Sequence, residues 1–372
     1  MRNTLVTVVV AVMASGMAQA VHAQTPAVRV SWSGRAQIQW NTTSVDEVEA
    51  GMTSPVAWST FETRRIRLQA SITAGDWVRG VIEPEFALAQ LALKQAWIAL
   101  DFDPAFSLRA GQFKKPFSLI LLSSSTQLAP IERGVRIRNL NRALSEEDGA
   151  VFNTLDGDMI LGEEQTLVSV MQYGDYDIGA AIEGEKAGFE WSLGVFNGAG
   201  ADTRDHNDSK TFAGRVTYGV PVATGLRLGV AASHRDVSLE GDNGLFETHK
   251  GTAYSVDLEL GQFRDGVWLV AEAIRGTNLI TDETLLGAHA MLSYFHDLGN
   301  TRRIQGVEPV GRISYGDPDD TIDGDEGILL TPGINLYMLG RNRLMFNWDL
   351  FLPRGDAFSS QHAFRAQLNL HF

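Results

Sequence analysis

The 372-residue sequence predicts an all-β fold: a transmembrane antiparallel β-barrel of 16 strands, with 18 as the alternative count and a long loop folded into its lumen. Three observations predict it. Long segments alternate strictly between apolar and polar residues. The connections between them alternate between short and long. Apart from a short N-terminal run, no stretch is apolar and long enough for a membrane helix, which needs about 20 residues.

Export comes first in chain order. Arg2, the apolar run Leu5 to Met13 and the small residues up to Ala23 read as a secretory signal peptide over residues 1–23. Val21-His22-Ala23 fits the cleavage rule, and Ala18-Gln19-Ala20 is a second site. Residues 24–372 are then one exported barrel domain, bound for the bacterial outer membrane.

The first strand, 28–40, has Val28, Val30, Trp32, Gly34, Ala36, Ile38 and Trp40 on one parity and Arg29, Ser31, Ser33, Arg35, Gln37 and Gln39 on the other. A period of two is a strand with one apolar face. Its length exceeds the roughly 5–6 residues usual in soluble domains and suits the roughly 9–11 of a tilted membrane strand. The second, 62–74, repeats the pattern with Ile66, Leu68, Ala70 and Ile72 against Arg65, Arg67, Gln69 and Ser71. Further strands follow at 77–88, 91–102, 105–113, 176–186, 187–197, 211–219, 224–236, 250–261, 265–276, 285–297, 302–316, 326–338, 342–351 and 361–372. Residues 148–156 and 164–173 supply the two extra strands of the 18-strand alternative, but their alternation is poor.

Tight turns are expected at Ala74 to Trp77, Glu185 to Gly188, Val220 to Gly225, Gly261 to Gly266 and Leu339 to Asn342. Long polar loops are expected at Asn197 to Lys210, Arg235 to Lys250, Gly316 to Glu326 and Leu352 to Gln361. Short turns on one side and long loops on the other characterise outer-membrane barrels. Trp40, Phe61, Trp77, Phe86, Trp97, Tyr218, Trp348 and Phe351 are read as interfacial girdle aromatics. Phe372 closes the apolar face of the last strand and is read as the contact for the barrel assembly machinery.

Composition narrows the chemistry. There is no Cys, so no thiol nucleophile or Cys-ligated metal site exists. The formal net charge of −14 argues against nucleic-acid binding. No H-E-x-x-H, G-x-S-x-G or P-loop occurs, so no catalytic residue, cofactor or metal ligand is assigned. The acidic run Gly316 to Gly327 lacks the EF-hand spacing. It is read as solvated; divalent bridging to lipopolysaccharide phosphates is the other reading.

The cations are 25 Arg and 6 Lys. Arg29, Arg35, Arg65, Arg67, Arg215 and Arg227 share the polar parity of their strands, and Arg109 is compatible with it. A charge on the lipid face costs about 2–4 kcal/mol at mid-membrane, so these side chains are expected in the lumen. Segment 114–175 is expected to fold inward as a constriction loop. It carries Lys114, Lys115, Arg133, Arg136, Arg138 and Arg142, opposed up to residue 142 by Glu132 alone. Rings of Arg and Lys select anions. The competing reading pairs lumen arginines with Glu83, Glu85, Asp257, Glu259, Glu272 and Glu308, merely solvating the wall. Arg204, Arg341 and Arg354, in loops and turns, are expected to matter little.

Several segments resemble the phosphate-selective porin O and P family. They are TRRIRLQASITAGDW (Thr63 to Trp77), LRAGQFKKPF (Leu108 to Phe117), Ile131-Glu132-Arg133, Asp177-Ile178-Gly179, WSLGVFNGAG (Trp191 to Gly200), Gly333 to Tyr337 and Arg365 to Leu368. The resemblance implies a 16-stranded outer-membrane porin, usually a homotrimer, passing small anions. Phosphate or polyphosphate is one candidate solute class and organic anions another. A barrel hydrolase and a non-channel structural or adhesive barrel are the rival classes, and both predict little conductance.

Overall fold

A computed structural model describes residues 28–49, 52–87, 91–133, 171–203, 209–223, 225–240, 246–279, 281–299, 303–324, 326–354 and 361–372. The expected signal peptide, and Arg136, Arg138, Arg142 and Arg204, lie outside them. So does most of the pair of extra strands.

The described residues form a closed antiparallel barrel of sixteen strands, each bonded to its sequence neighbours. They are β1 (Val28–Glu49), β2 (Met52–Ala74), β3 (Val78–Glu85), β4 (Ala92–Asp103), β5 (Phe106–Lys114), β6 (Tyr176–Lys186), β7 (Phe189–Phe196) and β8 (Thr211–Gly219). The circuit continues with β9 (Leu226–Glu240), β10 (Phe246–Gln262), β11 (Asp265–Thr277), β12 (Thr284–Asp297), β13 (Gly306–Asp317), β14 (Gly327–Tyr337), β15 (Arg343–Pro353) and β16 (Gln361–His371). β1 and β16 close the ring from Arg35↔His371 to Val45↔Gln361. The 18-strand alternative fails because β5 pairs directly with β6, from Ser107↔Glu183 to Lys114↔Tyr176. No wall position remains between them for two more strands.

Alternation sorts the faces as expected. Leu228, Val230, Tyr254 and Val256 point outward and are exposed, while Ala231, Ser233, Ser255 and Asp257 point inward and are buried. The tight turns follow from backbone chemistry. Lys186 pairs with Phe189 across Ala187 and Gly188, whose φ values are +53° and +83°. Positive φ at both centres is the sign of a type I′ turn, which matches strand twist.

The structure corrects three readings. The first hairpin is longer than expected, with pairing up to Glu49↔Met52. The expected loop Arg235 to Lys250 is largely strand on both sides. Trp97 and Phe351 are lumen residues rather than girdle aromatics. The Trp97 ring underlies the Arg109 guanidinium at 4.4 Å, and Phe351 is buried with residues of the inner loop. Phe61, Phe86 and Trp348 are exposed on the outer wall, whereas Trp77 lies in the β2–β3 turn and borders the lumen vestibule.

One irregularity re-aims side chains. The β1–β2 register jumps from Gln37↔Arg65 to Ile38↔Thr63, leaving Arg64 as the extra residue. A bulge breaks the period of two. Arg64 and Arg65, though consecutive, therefore both reach into the lumen toward Glu132.

Candidate pore constriction

The loop after β5 turns inward at once. Pro116 cannot donate a backbone bond, so the ladder stops there. Ser118, at φ +66°, begins a one-turn helix, α1 (Leu119–Leu122). Glu272 on β11 holds this turn, accepting from Ser118 Oγ at 2.9 Å and from the Leu119 amide at 2.8 Å.

From α1 the loop crosses to other parts of the wall. Arg35 donates to Ser125 Oγ at 3.0 Å. Arg343 donates to the Leu128 carbonyl, and Asn335 to the Ala129 carbonyl at 2.9 Å. Asn347 Oδ1 accepts from the Ile131 amide at 2.6 Å. Arg64 binds Glu132 at 2.7 Å and Arg65 binds it at 3.2 Å. Arg312 donates to the Glu132 carbonyl at 2.6 Å.

Apolar packing completes the seal. Phe117, Ile120, Leu121 and Leu128 cluster with Ala231, Ala253, Leu285 and Phe351. Ala129 joins Trp268, Val270, Met291 and Val310. A second plug is built from the β10–β11 turn. The Arg343 guanidinium lies over Phe263 and Tyr337, and that of Arg264 over Phe295 and Tyr337. This packing occupies the lumen beside β11 to β15, while a second cavity of about 200 Å³ remains between β1 to β3 and the loop, lined by Arg35, Arg67, Glu83, Ser124 and Thr126.

A larger open space lies beside β5 to β10. A cavity of about 320 Å³ runs between the loop residues Lys114, Pro116, Leu119 and Leu122 and a charged wall. On that wall Arg109 pairs with Glu183 at 2.7 Å, Arg227 with Glu190 at 2.7 Å, and Arg215 with Asp257. The Arg215–Asp257 contact is two-pronged, with Nη2 to Oδ1 at 2.8 Å. Trp268 Nε1 donates to Glu259 at 2.9 Å. The Lys114 ammonium donates to the Leu121 carbonyl, and no carboxylate pairs with it among the described residues. Toward the short turns the space widens into a vestibule of about 940 Å³, lined by Asp76, Arg79, Asp101, Asp103 and Glu185.

The predicted pathway residues divide into groups. Arg109, Lys114, Arg215 and Arg227 line this lane. Arg35, Arg65 and Arg67 are lumenal on the other side of the loop, where Arg35 and Arg67 line the smaller cavity. Arg35 and Arg67 share Glu83, at 2.8 and 3.2 Å. Lys115 pairs with Asp177 at 3.2 Å, under the loop. Burial lowers its ammonium pKa, and Asp177 opposes that shift. Arg133 folds back on the Ile120 carbonyl at 2.8 Å. Burial lowers its guanidinium to about 10, still charged at neutral pH. Arg29 stands exposed at the start of β1. Pairing and lining thus coexist, because nearly every described lumen arginine has a carboxylate or carbonyl partner. Arg64, Arg235 and Arg343 also reach inward, and sequence reasoning missed them. For Arg343 and Arg235 there was a signal, since Arg343 shares parity with Asn347 and Asp349, and Arg235 with Ala231 and Ser233.

No group of three or more His, Asp or Glu converges as a metal site among the described residues.

The model of the family described as phosphate-selective porin O and P matches residues 33–296. No curated protein matches the chain. Solved structures match the fold. The anion-selective porin from Comamonas acidovorans is 12% identical, with a TM-score of 0.58, covering 93% of this chain and 100% of that one. The outer-membrane channel DcaP of Acinetobacter baumannii is 12% identical, with a TM-score of 0.59, covering 92% and 97%. The trimer form of Vibrio cholerae OmpT is 9% identical, with a TM-score of 0.53, covering 92% and 100%.

Proposed function

The chain belongs to the phosphate-selective porin O and P family, and from that premise we propose how it passes solutes. It is an outer-membrane porin through which small anions diffuse along the lane beside β5 to β10. The observation that carries this is the lane itself. It is wider than the cavity beside β1 to β3, and it presents Arg109, Arg215, Arg227 and Lys114 together.

The pairing of these arginines is part of how they would work. A bare guanidinium cluster grips an oxyanion strongly, whereas conduction needs contacts weak enough to release. Each guanidinium has five N–H donors. Arg109 and Arg227 each spend one nitrogen on a carboxylate, and Arg215 spends two. The remaining donors offer moderate contacts, so an anion can move from one arginine to the next. Phosphate and polyphosphate are candidate solutes on the strength of the family.

Export through a cleaved 1–23 signal peptide, lipid and lipopolysaccharide around the wall, assembly through the strand ending in Phe372 and a homotrimeric state belong to the same proposal. The apolar outer wall supports the lipid contact, and the trimer form of the OmpT neighbour supports the oligomer. The test is the reversal potential of the purified protein in a planar bilayer under a KCl gradient. A chloride-selective potential is expected. A barrel with no conductance would favour the enzyme or adhesin class instead.

A further inference from the structure

The lane has two unlike sides. On the wall stand Arg109, Arg215, Arg227 and their carboxylates. On the loop, Leu119 and Leu122 lie three residues apart on α1, so they share one face. Both are only half-buried, whereas Ile120 and Leu121 are buried against the inner cluster. Ile120 and Leu121 anchor the loop, and Leu119 packs partly against the Trp268 cluster. Leu122 and the remaining face of Leu119 border the open space, with Pro116 beside them.

Apolar surface facing water is unfavourable, and hydrated inorganic ions gain nothing from it. A solute that matches both sides has a charged head and a hydrocarbon body. The head takes N–H donors left over on the paired arginines, and the body covers the two leucines. A cavity of about 320 Å³ holds on the order of ten waters, which is room for a carboxylate of about six carbons. We infer that the lane is a binding subsite for small organic anions with an apolar body, held by their tails on Leu119 and Leu122 and by their heads on the arginine wall. The inference rests on reading the lane as the anion pathway.

The test is block of the chloride current in planar bilayers by two carboxylates of equal charge, acetate and 4-methylpentanoate. The longer acid carries four more carbons. With about half of that surface covered, it should block at about tenfold lower concentration or less. Leu119→Ser with Leu122→Ser should bring the two acids to within about twofold. Leu119→Met with Leu122→Met, which keeps the apolar face, should retain the difference. Heat-modifiable mobility on a gel checks that each variant is folded. Equal block by both acids in the native protein overturns the inference, even if the serine variant does not fold. An unchanged ratio in the serine variant also overturns it, by placing the tail elsewhere. So does a serine variant whose KCl conductance rises several-fold at an unchanged ratio, because the leucines would then be a dewetting constriction. A chloride-selective channel with no preference between the acids sinks this inference and leaves the proposed function standing. A cation-selective channel sinks the proposed function itself.

Discussion

Glu132 on the constriction loop and Arg64 on β2 meet at 2.7 Å, and the contact exists because a bulge turns Arg64 out of step with its strand. Arg65 reaches the same carboxylate at 3.2 Å, and these side chains are almost fully buried. One loop carboxylate therefore faces two guanidinium groups.

Glu132→Ala should loosen the loop by removing the carboxylate that faces Arg64 and Arg65. Breaking a buried pair by removing one partner costs about 3–5 kcal/mol. The expected outcome is a lower midpoint in urea titration of the folded barrel. Single-channel conductance should become larger and noisier, because the loop loses its hold on β2.

Lane charge should be tunable in both directions. Asp257→Asn frees Arg215 from its two-pronged partner, and the reversal potential should move further toward chloride. Arg215→Gln should move it toward potassium. If both substitutions move it the same way, or neither moves it, these residues lie outside the current path.

The outer face tests the parity assignment. Leu228 is 43% exposed toward lipid, and Leu228→Arg should cost about 2–4 kcal/mol near mid-membrane. Ser192 faces the lane and bonds to Glu183 at 3.1 Å. Ser192→Arg should cost far less in the same denaturant titration.

Gly34 faces the ring of Phe372, and a Cβ at position 34 would run into that ring. The two residues also exchange backbone bonds, at 2.9 and 3.1 Å. Gly34→Val should push the exposed Phe372 ring aside and lower the yield of closed barrel. The measurement is the fraction of heat-modifiable barrel recovered, compared with deletion of Phe372.

Much of this was legible in the residues themselves. Period-two alternation placed Leu228 outside and Ala231 inside, and the parity of the arginine rows followed from the cost of a charge in lipid. What alternation cannot show is register. Arg35 and Glu83 are 48 residues apart and meet only because the sheet curls. Parity also fails at a bulge, which is why Arg64 reads as an outward residue. Trp97 and Phe351 resemble girdle aromatics by type and by closeness to strand ends. Their direction depends on an apolar filling inside the lumen, which the polar-interior rule for barrels does not anticipate. How the lumen divides around the loop depends on where the loop lands, through single contacts such as Asn347 with Ile131.

The seam between β1 and β16 has a consequence in time. Asn41 and Arg365 lie opposite each other across it, and the Arg365 guanidinium bonds to Asn41 at 3.1 Å, across 324 positions of chain. During synthesis β1 emerges long before β16. Until the late strand arrives, β1 can pair only with β2, and its other edge offers unsatisfied donors and acceptors to any passing strand. Contacts this distant in sequence also form slowly. The waiting period before ring closure is therefore when the chain is most exposed to aggregation.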